Sequence, residues 1–150
     1  MFCGRQSEMA ELEKRWQSKT FEFGVVYGTR RIGKTTLLQE FVKGKNAFYF
    51  QARKADEKDN LTAFSREFRK SRGMDEHLRY DSFDSAFDSI AEHAEKQRMI
   101  LVIDEIAYLC TKNKSLLSLL QFYLDGPLKQ AGIMVILSGS NVSFMEDTRR

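Results

Sequence analysis

Lys34 with Thr35, and Asp104 with Glu105, are the residues whose types and spacing could do chemistry in this chain. The first pair closes the run Gly28-Thr29-Arg30-Arg31-Ile32-Gly33-Lys34-Thr35, which fits the Walker A pattern G-x-x-x-x-G-K-[ST]. Glycines in such a loop give the backbone conformations closed to other residues and let it approach phosphate oxygens. Its N–H groups and the start of the helix that follows, from Thr36 onward, then point at the anion. With Gly at about 7% of average usage, a chance match in a chain this short arises in well under roughly 1% of cases. The chemistry implied is the holding of a nucleoside triphosphate by its phosphates.

The second pair follows Met99-Ile100-Leu101-Val102-Ile103, an unbroken apolar run. Such a run reads as a strand buried on both faces, as inside a parallel sheet. Ligands of open α/β sheets sit outside the carboxyl ends of the strands, where Asp104 and Glu105 fall. Asp104 would hold Mg²⁺, directly or through water, with Thr35 as the loop's ligand. Glu105 would orient or deprotonate an attacking water. Each motif supplies the half of a phosphoryl-transfer site that the other lacks.

The elements around them have to place these groups. Phe21 to Tyr27 is aromatic and β-branched, as a strand before a phosphate loop should be. After the loop, Leu37, Leu38, Phe41 and Val42 share one face of a helix over Thr36 to Lys43, which Gly44 ends. Ala47 to Ala52 reads as a further strand, and Thr62 to Arg72 and Ser82 to Gln97 as helices. In the latter, Phe83, Phe87, Ile90, Ala91 and Ala94 recur at helical spacing and form a core stripe. A fourth strand over Gly132 to Leu137 ends in Ser138-Gly139-Ser140-Asn141. Ser138, Ser140 and Asn141 are candidates for sensing a γ-phosphate, although such residues also dominate plain turns. The single proline, Pro127, separates a helix over Leu116 to Leu124 from a short one before Gly132. Ser71 to Asp81, polar and carrying Gly73, is the expected mobile loop. Met9, Leu12 and Trp16 share a face of a short helix after Ser7.

An extra strand between the two motifs, with the Asp-Glu dipeptide, is the pattern of ATPases that use a catalytic glutamate. A GTPase would carry Asp-x-x-Gly and Asn-Lys-x-Asp. Here Ala107 stands at the Gly position, and Asn113-Lys114 runs into Ser115-Leu116. ATP is therefore expected over GTP.

Taken together, the segments resemble the prokaryotic AAA+ ATPases of the archaeal-type, STAND-related group. The likeness rests on Phe2-Cys3-Gly4-Arg5 with Glu8 and Leu12, on Tyr27 to Thr35 with its two arginines, on Ile103-Asp104-Glu105-Ile106-Ala107-Tyr108-Leu109, and on Leu137-Ser138-Gly139-Ser140. It implies a three-layer α/β P-loop domain over residues 1–150 with a central parallel sheet of four of the usual five strands. It also implies that Gly4 and Arg5 lie near the adenine and that Ser140 serves as a sensor. Relatives of this kind continue into a fifth strand, a helical lid and often a winged-helix domain. The chain is accordingly expected to be the front part of an ATPase domain, cut after the sensor strand. Arg30, Arg31, Arg149 and Arg150 are arginine-finger candidates among which nothing chooses.

Composition narrows the classes further. The 150 residues suit one domain, 42% hydrophobic content supports a core, and twelve Phe make that core aromatic. A net charge of +3 gives no argument for nucleic acid. No apolar run reaches membrane-spanning length, and early Glu8, Glu11 and Glu13 rule out a signal peptide. Cys3 and Cys110 suit neither a zinc site nor a disulfide framework, as expected of a cytoplasmic protein. His77 and His93 are isolated. The expected function is ATP binding with Mg²⁺-dependent hydrolysis. The alternative is a STAND-type switch that binds ATP and turns it over slowly or not at all, with DNA contacted only through domains beyond this segment. A small-molecule kinase is a third reading, against which Glu105 speaks.

Overall fold

The computed structural model describes residues 3–27, 33–110 and 113–139, and of residues 3–6 and Tyr27 the backbone only. In chain order the elements are α1 (Cys3–Gln17), β1 (Glu22–Tyr27), α2 (Lys34–Val42), β2 (Ala47–Gln51), α3 (Glu57–Ser71), α4 (Phe83–Lys96), β3 (Ile100–Asp104), α5 (Ala107–Cys110), α6 (Lys114–Asp125), α7 (Pro127–Ala131) and β4 (Met134–Gly139). The four strands form one all-parallel sheet in the order β1-β4-β3-β2. Register aligns their carboxyl ends. Gln51 lies opposite Asp104, and Asp104 lies opposite Ser138.

Strand alternation divides the sheet into two faces. On one, Phe48, Phe50, Leu101, Ile103, Val135 and Leu137 meet α3, α4, α6 and α7. Its centre is Phe64, fully buried, with the rings of Phe48, Phe50 and Phe83 edge-on at 5.2, 5.0 and 5.5 Å. Edge-to-face contacts of this kind satisfy the ring quadrupoles beyond simple area burial. The opposite face carries Ile100, Val102, Met134 and Ile136 and is covered by Leu37, Leu38 and Phe41 of α2 and Leu12 of α1.

The helix ends show why the sequence stops where it does. Asp56, Ser82 and Asn113 accept backbone N–H bonds from Asp59, Ser85 and Leu116 at 2.8, 3.1 and 3.0 Å, each satisfying a donor a helix start leaves free. Gly132 ends α7 in the left-handed region at φ 73°. The α3 helix begins five residues before the expected Thr62, because Asp56 caps a first turn that apolar spacing alone does not reveal. α1 likewise starts at Cys3 rather than after Ser7. Its expected apolar face packs on the sheet, with Leu12 buried and Met9 and Trp16 against the same cluster.

Arg98 closes the far end of α1. Its guanidinium donates to the carbonyls of Gly132 at 3.0 Å, Thr20 at 2.7 Å and Trp16, and lies 4.6 Å over the Trp16 ring. A cation at the carbonyl-rich end of a helix also meets its dipole favourably. The polar stretch from Ser71 to Asp81 is tied to α3 at both ends. Met74 N–H donates to the Arg69 carbonyl at 2.8 Å, and Tyr80 N–H donates to Ser65 Oγ at 3.0 Å.

Candidate functional site

At the carboxyl end of the sheet, β1 ends at Tyr27 and α2 begins at Lys34, on either side of the segment with the Walker A pattern. Gly33 holds φ 87°, a conformation an L side chain resists, and its carbonyl accepts the first bond of α2 from Leu37 N–H at 2.7 Å. Lys34 and Thr35 therefore occupy the first turn of a helix whose N-terminus faces the strand ends. The earlier loop residues Gly28, Thr29, Arg30, Arg31 and Ile32 lie outside the described residues, as do Ser140, Asn141, Arg149 and Arg150. Gly4 and Arg5 fall in the first turn of α1, with nothing described of the Arg5 side chain.

The helix and the two central strands converge on Asp104, which is fully buried. Its Oδ2 accepts the hydroxyl of Thr35 at 2.8 Å and the phenol of Tyr49. Its Oδ1 accepts the hydroxyl of Ser138 at 2.7 Å and the N–H of Glu105 at 2.9 Å. Burial alone would push the Asp104 carboxyl up. The bonds from Tyr49, Ser138 and Thr35, with the Lys34 charge nearby, more than reverse that and hold it below the usual aspartate range. Burial first, and then the Asp104 carboxylate, push the Tyr49 phenol up, so it stays a proton donor.

Glu105 breaks the strand. Simple alternation would send its side chain to the aromatic face, away from the loop. Instead its backbone turns into the left-handed region at φ 56°, a conformation that costs a non-glycine residue roughly 1–2 kcal/mol. The turn re-aims the carboxylate, and Oε2 ends 3.9 Å from Lys34 Nζ. Strain of this sort clusters at functional positions and persists because the surroundings enforce it. Here the following Ile106 N–H is anchored on the Ser138 carbonyl at 3.0 Å.

The Lys34 ammonium is buried, with its side chain 9% exposed, and it has no hydrogen-bond partner among the described residues. The Glu105 carboxylate at 3.9 Å is beyond hydrogen-bond reach, and an anion delivered to the ammonium relieves the remaining cost of its burial. The oxygen donors Thr35 and Asp104 suit a hard divalent cation. Among the described residues no cluster of three or more His, Cys, Asp or Glu side chains forms an all-protein metal cage. That donor set fits Mg²⁺, which binds through one or two protein oxygens and completes its shell with water and phosphate.

The structure thus brings together five of the residues singled out in the sequence, Lys34, Thr35, Asp104, Glu105 and the sensor candidate Ser138, whose hydroxyl is spent on Asp104. Sequence reasoning treated Tyr49 only as a strand residue. Its signal was faint: a tyrosine among the apolar Ala47, Phe48 and Phe50 of its strand, on the face that also carries Asp104.

Comparison with known proteins agrees with this geometry. A family model for an ATPase domain found predominantly in Archaea matches residues 2–150. An uncharacterized protein of Methanocaldococcus jannaschii is 34% identical over 145 residues, covering 97% of this chain and 31% of the relative. An uncharacterized ATP-binding protein of the same organism is 38% identical over 45 residues, covering 30% of this chain and 76% of that protein. Among solved structures, a Walker-type ATPase of Pyrococcus abyssi superposes with a TM-score of 0.64 at 22% identity, covering 96% of this chain and 47% of its own. Cdc6p of Pyrobaculum aerophilum gives 0.67 at 18% identity, covering 97% and 42%. At these identities the structural matches establish the P-loop ATPase fold. The chain spans less than half the length of those two solved proteins.

Proposed function

The chain belongs to the ATPase-domain family found predominantly in Archaea, and on that premise we propose that it binds ATP with Mg²⁺ and belongs to a unit that hydrolyses it. The observation that carries the reading is the buried ammonium of Lys34, which has no hydrogen-bond partner among the described residues and faces at 3.9 Å a carboxylate that backbone strain has turned toward it.

In this reading the first-turn N–H groups of α2 and the Lys34 ammonium receive the β- and γ-phosphates and offset charge that grows during transfer. Thr35 and Asp104 would hold Mg²⁺, which would supply positive charge to offset that of the phosphates. Phosphate arriving at Lys34 competes with Glu105 for the ammonium. Glu105 is then released to align a water and take its proton as that water attacks the γ-phosphorus. The Lys34–Glu105 contact also supports a second reading, a switch in which nucleotide binding alone rearranges the site.

Calorimetry with ATP, with and without Mg²⁺, combined with phosphate release tests both. Lys34→Ala should abolish binding. Glu105→Gln should bind ATP as the parent does and lose at least about a hundredfold in turnover, the scale of general-base catalysis. Normal hydrolysis by Glu105→Gln would remove Glu105 from the chemistry. Binding without release in the parent would favour the switch.

A further inference from the structure

We infer that Tyr49 is a positioning residue for the metal end of the site, its phenol fixing the rotation of the Asp104 carboxylate so that Thr35 and Asp104 meet a divalent cation as one prearranged unit. The inference rests on the proposed Mg²⁺–ATP reading and goes beyond it, because no part of the nucleotide-binding pattern requires a tyrosine on β2.

The argument starts from a count of lone pairs. An ionised carboxylate offers about four acceptor sites, two on each oxygen. At Asp104 all four are taken: Oδ1 by Ser138 and Glu105 N–H, Oδ2 by Thr35 and Tyr49. A cation reaches this carboxylate directly only by displacing one of these donors. The Thr35 hydroxyl spends its proton on Asp104, which leaves its own oxygen lone pairs for a cation. Thr35 then touches the ion, and Asp104 acts by orienting that hydroxyl.

Tyr49 is the one donor of the four that comes from neither α2, β3, β4 nor the turn after β3. It reaches the carboxylate along β2, on the face that Ala47 and Tyr49 share with Val102 and Ile136. Removing the phenol leaves Oδ2 held by Thr35 alone. The carboxylate is then free to turn, and the Thr35 hydroxyl that it orients loses its fixed aim at the cation. Partners that orient metal ligands from behind typically contribute 10–100-fold in metal affinity or activity.

The test is Tyr49→Phe, which keeps the ring and its packing. ATP affinity is measured by calorimetry across a Mg²⁺ titration, and Mn²⁺ bound in the presence of ATP is counted by electron paramagnetic resonance. The expected result is at least a tenfold rise in the Mg²⁺ and Mn²⁺ concentrations needed for half-saturation, with Mg²⁺-free ATP affinity unchanged. Equal loss of affinity with and without Mg²⁺ would reveal a purely structural tyrosine and overturn the inference. An unchanged metal titration in the variant, beside a metal-responsive parent, would overturn it too while leaving the site reading intact. A parent whose ATP affinity ignores Mg²⁺ would overturn both.

Discussion

The two faces of the sheet are built on different principles. The face covered by α3, α4, α6 and α7 is dry and aromatic, with Phe48, Phe50, Phe64, Phe68, Phe83 and Phe87 all buried. The face covered by α1 and α2 has a smaller apolar cluster and ends, toward the strand carboxyl termini, in Tyr49, Asp104, Ser138, Lys34 and Thr35. On the first face the rings satisfy one another, and Arg72 Nε, beside the Phe68 ring, lacks a hydrogen-bond partner among the described residues. The second keeps a buried ammonium without a hydrogen-bond partner among the described residues and a glutamate at positive φ. One face supplies stability and the other spends some of it, which is the usual relation between scaffold and site.

Breaking the aromatic face should have the largest effect on folding. Phe64→Ala removes a ring packed edge-on against four others and should cost about 3–5 kcal/mol, lowering the melting temperature by roughly 10 °C. Thermal unfolding followed by circular dichroism measures it. A loss under about 1 kcal/mol would mean that this face is far more loosely packed than these contacts describe.

A change on the other face should act with the opposite sign. Lys34→Met keeps the aliphatic stem and deletes the buried charge, so the nucleotide-free protein should melt higher, by on the order of 1 kcal/mol, while ATP binding is lost. A lower melting temperature in this variant would show that the Glu105 contact outweighs the burial of the ammonium.

The smallest effect concerns Cys110, at the end of α5. Burial first, and then the nearby Glu57 charge, push its thiol up to about 12, so little thiolate forms at neutral pH. Thiol reactivity appears only as pH rises through the folded value, well above the ordinary cysteine range. Iodoacetamide at pH 8 should therefore leave Cys110 unmodified in the folded chain and modify it after denaturation, as read by peptide mass spectrometry. Rapid labelling of the folded chain would place the α5 region outside the dry core.

Much of this was legible in the residues. The strand before the loop, the buried run ending in Asp104 and the helix stripe of Phe83, Phe87, Ile90, Ala91 and Ala94 were read at nearly their observed bounds. Long periodic runs betray themselves because burial and period are local properties. The front of α3 was missed because its first turn, Glu57 to Asn60, is charged and polar and owes its shape to the Asp56 cap.

Sequence alone determined that a loop of Walker A pattern and an apolar run ending in two carboxylates belong to one chain, since each is a short segment legible from its residues. Only the tertiary structure decided how that chemistry is tuned. Placing β4 between β1 and β3, and β2 on β3's other side, brings Ser138 and Tyr49 to Asp104 from positions 34 residues after and 55 residues before it. The turn of Glu105 toward Lys34 depends in the same way on the Ser138 carbonyl that anchors Ile106. Those contacts join residues far apart in the chain, and strand order, which no local pattern encodes, is what makes them neighbours.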